Sequence, residues 1–221
     1  MTTSAATAPY DFLDLGASGG GSLSYCETRF GGTGLGVDLA PRKVEAARAA
    51  GHNVVLGDAR DLKDEDNSVR YVAAMDFLEH LADTHAARAI LASAARVATD
   101  FIFIRHPSFE GEAMLRSLGL RQYWHNWSGH PNHMRVSDFC EALDALGLHR
   151  YAIHYLGRVE DSSDPTILPL GTPRNSHAYD PEVHPPKPAL VLPEPVWRAQ
   201  HIYVALRDFE PGEWEAIVRE P

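Results

Sequence analysis

The sequence has few cysteines, no long apolar run and no cluster of basic residues, and each shortage excludes something. Only Cys26 and Cys140 are present, both in helix-like stretches and neither in a C-x-x-C pair. That rules out a disulfide framework and a thiolate metal site, and fits reduced thiols in a cytoplasm. No segment has the length and apolarity needed to cross a bilayer, so no membrane partner is expected. The first ten residues are small and polar, without the basic start and apolar core of a secretory signal. Net charge is −10, and Lys and Arg are scattered. A nucleic-acid partner, gripped mainly through its phosphates, is therefore not expected.

What is present is the rhythm of an α/β protein. With 221 residues and 44% apolar content, one well-buried domain spanning 1–221 is expected. Short apolar runs at Tyr10–Leu15, Gly34–Asp38, Asn53–Leu56, Val69–Met75, Phe101–Arg105 and Arg150–Tyr155 alternate with helical patterns, and His201–Leu206 forms a last strand. Most of these runs are too uniformly apolar to be half-exposed, which suits strands covered on both faces. Leu23, Cys26 and Phe30 mark one helix, stopped by Gly31. Pro41 opens a second and Gly51 closes it; Asp83 caps a third with a stripe of Ala87, Ile90, Leu91 and Ala94. Ser137 is expected to open a fourth, with Phe139, Leu143 and Leu146 facing inward. Two segments break the alternation. Residues 107–136 carry a polar-aromatic run from Gln122 to His133, and residues 157–199 hold nine prolines. Long loops of this kind are commonly functional lids.

Phe12-Leu13-Asp14-Leu15-Gly16-Ala17-Ser18-Gly19-Gly20-Gly21 reads as strand, glycine-rich turn and helix start. Glycines allow a ligand close to the backbone, and the helix start offers free N–H groups. Taken alone, this is also an ordinary tight turn. Four further signals follow in order: Val37-Asp38 at the end of the second strand, Gly57-Asp58-Ala59 after the third, Met75-Asp76 then Glu79-His80 after the fourth, and Arg105-His106-Pro107 after the fifth.

This ordered set resembles the class I S-adenosylmethionine (SAM)-dependent methyltransferases, within the small-molecule, type 11-like group whose pattern reads D-x-G-x-G-x-G, an acid, G-D-A and E-H-L. The resemblance covers about residues 10–106. It implies a Rossmann-like, doubly wound and mostly parallel seven-stranded sheet with an antiparallel last strand, here with two lid insertions over the active-site face. It also implies SAM as cofactor. Asp14, Gly16 and Gly20, with Ala17 and Ser18, would border its amino-acid part. Asp38 and neighbouring Leu39 would hold the ribose, Asp58 and Ala59 the adenine, and Met75–Asp76 the methionine amine. Ser18 departs from the pattern, which has glycine there, and fits if its φ stays negative.

The methyl acceptor implied is a small molecule, with oxygen ahead of nitrogen as nucleophile and a saccharide or natural-product intermediate among the options. An alcohol or phenol must lose its proton, and His106, His130, His80 and His133 are the candidate bases. Each also reads as a surface or packing histidine. His125, His130 and His133 fall within nine residues, but no helix or strand aims them, so no metal is expected. Tyr123, Trp124 and Trp127 read either as lid core or as a stacking wall. With the first strand expected near residue 10, N-terminal helices over the donor are not expected. The two insertions, or a second copy of the chain in a homodimer, would provide the cover. Two rivals remain: a nicotinamide-dependent oxidoreductase, since Gly16-x-Ser18-x-x-Gly21 with Asp38 approaches the dinucleotide pattern, and a SAM-binding protein without turnover.

Overall fold

Continuous apolar strands force burial on both sides, and the chain obtains it with a single twisted sheet. The computed structural model describes residues 10–62 and 66–220. The polar start of the chain lies outside those residues. In chain order the elements are β1 (Phe12–Leu15), α1 (Gly21–Phe30), β2 (Gly34–Asp38), α2 (Pro41–Ala49), β3 (Val54–Leu56), β4 (Val69–Met75), α3 (Thr84–Val97) and β5 (Ala98–Pro107). They continue with α4 (Glu112–Ser117), β6 (Leu120–Gln122), α5 (Val136–Ala145), β7 (Tyr151–Asp161), β8 (Ile167–Pro169), β9 (Val191–Ala205) and α6 (Glu213–Val218). The main sheet has seven strands in the order β3-β2-β1-β4-β5-β9-β7. All neighbours are parallel except β9, which runs antiparallel to both β5 and β7. The expected doubly wound sheet with an antiparallel last strand is therefore the one observed.

The two faces of the sheet differ in chemistry. Val72, Ala74, Ile102, Ile104, Ile202 and Val204 point to an aliphatic layer under α3 and α5. Their alternate neighbours Tyr71, Ala73, Phe101, Phe103 and Tyr203 face α1 and α2 in a mainly aromatic layer. Asp83 caps α3 as expected, accepting from the Ala86 N–H at 2.8 Å. Helix α5 starts earlier than Ser137. Its first helical residue is Val136, and Asp138 reaches back to accept from the Arg135 N–H at 2.8 Å, so the carboxylate rather than the serine fixes that end. Cys26 and Cys140 are unpaired, on α1 and α5. No described helix is long and apolar enough to cross a membrane.

The last two sheet strands are longer than their apolar runs indicate. β7 continues to Asp161 and β9 begins at Val191, so both ends of the proline-rich segment form a hairpin arm. Pro193 and Pro195 are tolerated because the register shifts between Val159 and Asp161, leaving that part of β9 without regular ladder partners. The two insertions also meet. β6 from the first pairs antiparallel with β8 from the second, Arg121 opposite Leu168. Leu115, Leu120, Val159, Ile167, Leu192 and Val196 form a small core of their own beneath them.

Candidate active site

Parallel strands end in loops on one face, and in an open α/β sheet ligands settle beyond those carboxyl ends. A cavity of about 910 Å³ lies there. Its wall includes Gly16–Gly19 and Gly21, Asp38 and Leu39, Gly57–Arg60, Met75–Phe77, His80 and Arg105.

The glycine-rich turn is shaped by its backbone. Gly16 has φ +75°, and a Cβ there would lie 2.5 Å from the Phe77 ring; Gly20 has φ +91° and its Cβ would strike the His52 ring. At Gly19 and Gly21, both on the cavity wall, a Cβ would meet no protein atom within 4 Å, so the space beside them belongs to whatever fills the cavity. Ser18 corrects the expectation of a negative φ: its value is +49°, in the left-handed region. The Asp38 carboxylate holds it there, accepting from the Ser18 N–H and from the Ala40 N–H, each at 2.8 Å. One side chain thus ties the first ligand turn to the second and keeps a carboxylate on the cavity wall.

Asp14 and Gly20 stand behind the wall rather than on it. Asp14 is fully buried, with Oδ2 accepting from the Ser22 hydroxyl and Oδ1 without a partner. Burial drives its carboxyl up to about 7, the Ser22 bond opposing this and the Asp38 charge reinforcing it. Asp58 lines the cavity but is chelated by the Arg60 side chain at 2.6–3.0 Å, which holds its pKa below the usual carboxylate value. Ala59, Met75 and Leu39 line it directly. Asp76 has φ +48°, and its carboxylate lies 3.6 Å from Arg105 Nε.

The four candidate histidines separate. His80 is on the cavity wall, its Nδ1 2.6 Å from the Gly129 carbonyl. Since a carbonyl only accepts, Nδ1 carries the hydrogen and Nε2 the lone pair. The His130 ring meets the His80 ring edge-on, with centroids 4.9 Å apart. His106 and His133 lie outside the cavity wall. His133 stacks on Phe109 and bonds Glu112 at 3.1 Å. His106 is fully buried between Phe109 and Phe139, donating from Nδ1 to the Pro107 carbonyl at 2.8 Å. Burial drives its pKa down to about 3.

That shift has a stability consequence. Below pH 6.5 the unfolded chain protonates this imidazole and the folded chain does not, so stability falls as pH drops toward 3. At pH 5 the loss through His106 is about 2 kcal/mol. Urea unfolding at pH 7 and pH 5 should show a shallower acid loss in His106→Gln than in wild type. Equal losses would mean that the imidazole is not kept neutral by the fold.

The insertions border the cavity at its His80 end without roofing it. No residue of 107–136 or 157–199 lines the cavity. The contact is made by Asn132, whose N–H and side chain bond the Glu79 and Leu78 carbonyls, and by Gly129 and His130. Trp124 is buried and donates to the Ser108 carbonyl, His125 bonds the same carbonyl, and Trp127 packs on His177. Sequence reasoning passed over Tyr25, Lys43 and Arg60 as lining residues. Tyr25 was within reach of the helical period, one turn after Gly21.

A family model described as a methyltransferase domain matches residues 12–100. No curated protein matches the sequence. Among solved structures, a SAM-dependent methyltransferase from Archaeoglobus fulgidus superposes with a TM-score of 0.61 at 18% identity, covering 88% of this chain and 85% of that one. A putative methyltransferase from Bacillus halodurans gives 0.59 at 16%, covering 90% and 93%. The magnesium protoporphyrin IX methyltransferase of Synechocystis, solved with S-adenosylhomocysteine (SAH) bound, gives 0.54 at 16%, covering 89% and 74%. At these identities the likeness of structures is a likeness of fold.

Proposed function

We propose that this chain is a class I SAM-dependent methyltransferase and that it delivers its methyl group to an oxygen nucleophile on a small molecule; the methyltransferase-domain match over residues 12–100 and the shared fold support the first part. SAM supplies an electrophilic methyl on a sulfonium; the protein aligns donor and acceptor and deals with the proton. The turn Gly16–Gly21 with Met75 and Asp76 borders the amino-acid half of the donor, with Asp14 behind it. Asp38 and Leu39 hold the ribose, and Asp58 with Ala59 the adenine. The family match favours this over the nicotinamide reading of the same turn.

One observation carries the choice of acceptor atom: His80 is the only one of the four candidate histidines on the cavity wall, with Nε2 available as a hydrogen-bond acceptor. A hydroxyl becomes a better nucleophile as it gives up its proton, so a group that accepts its hydrogen bond is useful to oxygen transfer. An acidic chain with no basic cluster suits a small acceptor better than a nucleic acid.

The test is a panel of hydroxylated and aminated small molecules with isotopically labelled SAM, products read by mass spectrometry. Label on oxygen is expected, and His80→Ala should lower kcat about a hundredfold while SAM still binds. Label found only on nitrogen or carbon would overturn the reading, as would an unchanged kcat in the variant.

A further inference from the structure

The turn after β4 brings Glu79 and His80 beside His130 of the first insertion. One ligand atom from each lies within 4.8 Å of the other two. Glu79 is 1% exposed, and its Oε2 has no hydrogen-bond partner. A buried carboxylate oxygen left unpaired is costly, and such a group calls for a proton or a cation.

The imidazoles are oriented as ligands are. His80 places Nδ1 2.6 Å from the Gly129 carbonyl, and His130 places Nδ1 3.3 Å from the Trp124 carbonyl. In each ring the hydrogen is therefore on Nδ1 and the lone pair on Nε2. Backbone carbonyls that fix the tautomer and angle of a histidine are the usual outer support of a metal-binding imidazole.

We propose that Glu79, His80 and His130 bind a divalent transition-metal cation at the His80 end of the cavity. Two imidazoles and one carboxylate suit zinc and its neighbours in the series better than magnesium or calcium, which prefer all-oxygen sites. Three protein ligands leave a coordination position free. Because the ligands come from the β4 turn and from the first insertion, the ion also fastens that insertion to the cavity wall. At the free position it would hold the acceptor oxygen and acidify its hydroxyl, taking over the task that the His80 Nε2 lone pair serves when no ion is bound. That role rests on the oxygen-transfer reading; binding of the ion does not.

Chelator-stripped protein is titrated with Co²⁺, followed by visible absorption, and with Zn²⁺ by calorimetry. The expected result is one equivalent bound in the micromolar range or tighter. Glu79→Gln and His130→Gln should each weaken Co²⁺ binding at least about tenfold. His133→Gln, whose ring is held by Glu112 outside the cluster, should leave it unchanged. SAH binding by each variant reports that it is folded. If Glu79→Gln fails that check, exposed His80→Gln takes its place with the same expected loss. No stoichiometric Co²⁺ binding in wild type, or binding unaltered in both His130→Gln and His80→Gln, would overturn the proposal. A methyl found on nitrogen leaves the Co²⁺ titration as it stands, so the two readings fail separately.

Discussion

Gly16→Ala is expected to abolish SAM binding at micromolar concentration. Gly16 has φ +75°, and the left-handed region costs an L-residue about 1–2 kcal/mol. The added methyl would also sit 2.5 Å from Phe77 Cδ2 and 3.0 Å from Cγ. Phe77 lines the cavity, so relief of that clash disturbs the cavity wall, and relief by the turn itself disturbs the N–H groups proposed to face the donor. We expect affinity for SAM and for SAH to fall at least about a hundredfold, roughly 2.7 kcal/mol. Gly19→Ala is the comparison, since Gly19 has an ordinary φ and open space beside it; its thermal stability should stay at the wild-type value. Calorimetric titration of Gly16→Ala and thermal unfolding of Gly19→Ala check the two halves. Wild-type affinity in Gly16→Ala would remove the glycine-rich turn from the donor site.

Tyr71→Ala is expected to be strongly destabilising. Tyr71 lies at the centre of a stack across three strands, with Phe12 at 4.6 Å and 8° on one side and Phe101 at 4.8 Å and 7° on the other. Phe30 closes over it edge-on from α1 at 5.5 Å. Losing the ring removes burial and leaves a cavity that flat, strand-borne neighbours cannot fill, at a cost of about 3–5 kcal/mol. Net stability of a domain is about 5–15 kcal/mol, so the variant should unfold at much lower urea concentration. Tyr71→Phe isolates the hydroxyl, which donates toward the Cys26 and Gly31 carbonyls at 3.3 and 3.2 Å; its loss should cost about 1 kcal/mol. A loss below about 1.5 kcal/mol in Tyr71→Ala would show that the stack relaxes around the gap.

These effects fall where the sequence was most legible. Strands such as Val69–Met75 declare themselves by composition, a short apolar run set between Asn67-Ser68 and Asp76. The ends of β7 and β9 were hidden because their pairing depends on a register shift that makes room for two prolines, a fact about two strands jointly. The site divides in the same way. Asp38, Asp58 and Asp76 are local to strand ends, and their order along the chain is what turned a nucleotide-like turn into an expectation of SAM. Which histidine reaches the cavity was not local. His80 and His130 are 50 residues apart and meet only because Asn132 docks the first insertion on the turn after β4. Ser18 shows the remaining limit: its positive φ is imposed by a carboxylate 20 residues away.

The pairing of β6 with β8 makes the two insertions a single inheritable unit. Each supplies the other's only partner in that small sheet, and both close over one apolar core. Removing either would leave a bare strand edge and uncovered Leu115, Leu120 and Ile167, surfaces that favour aggregation. An exchange of these segments between proteins of this fold keeps that core intact only when both move together with the β7–β9 arm that carries them. The half of the chain that lines the cavity can stay as it is.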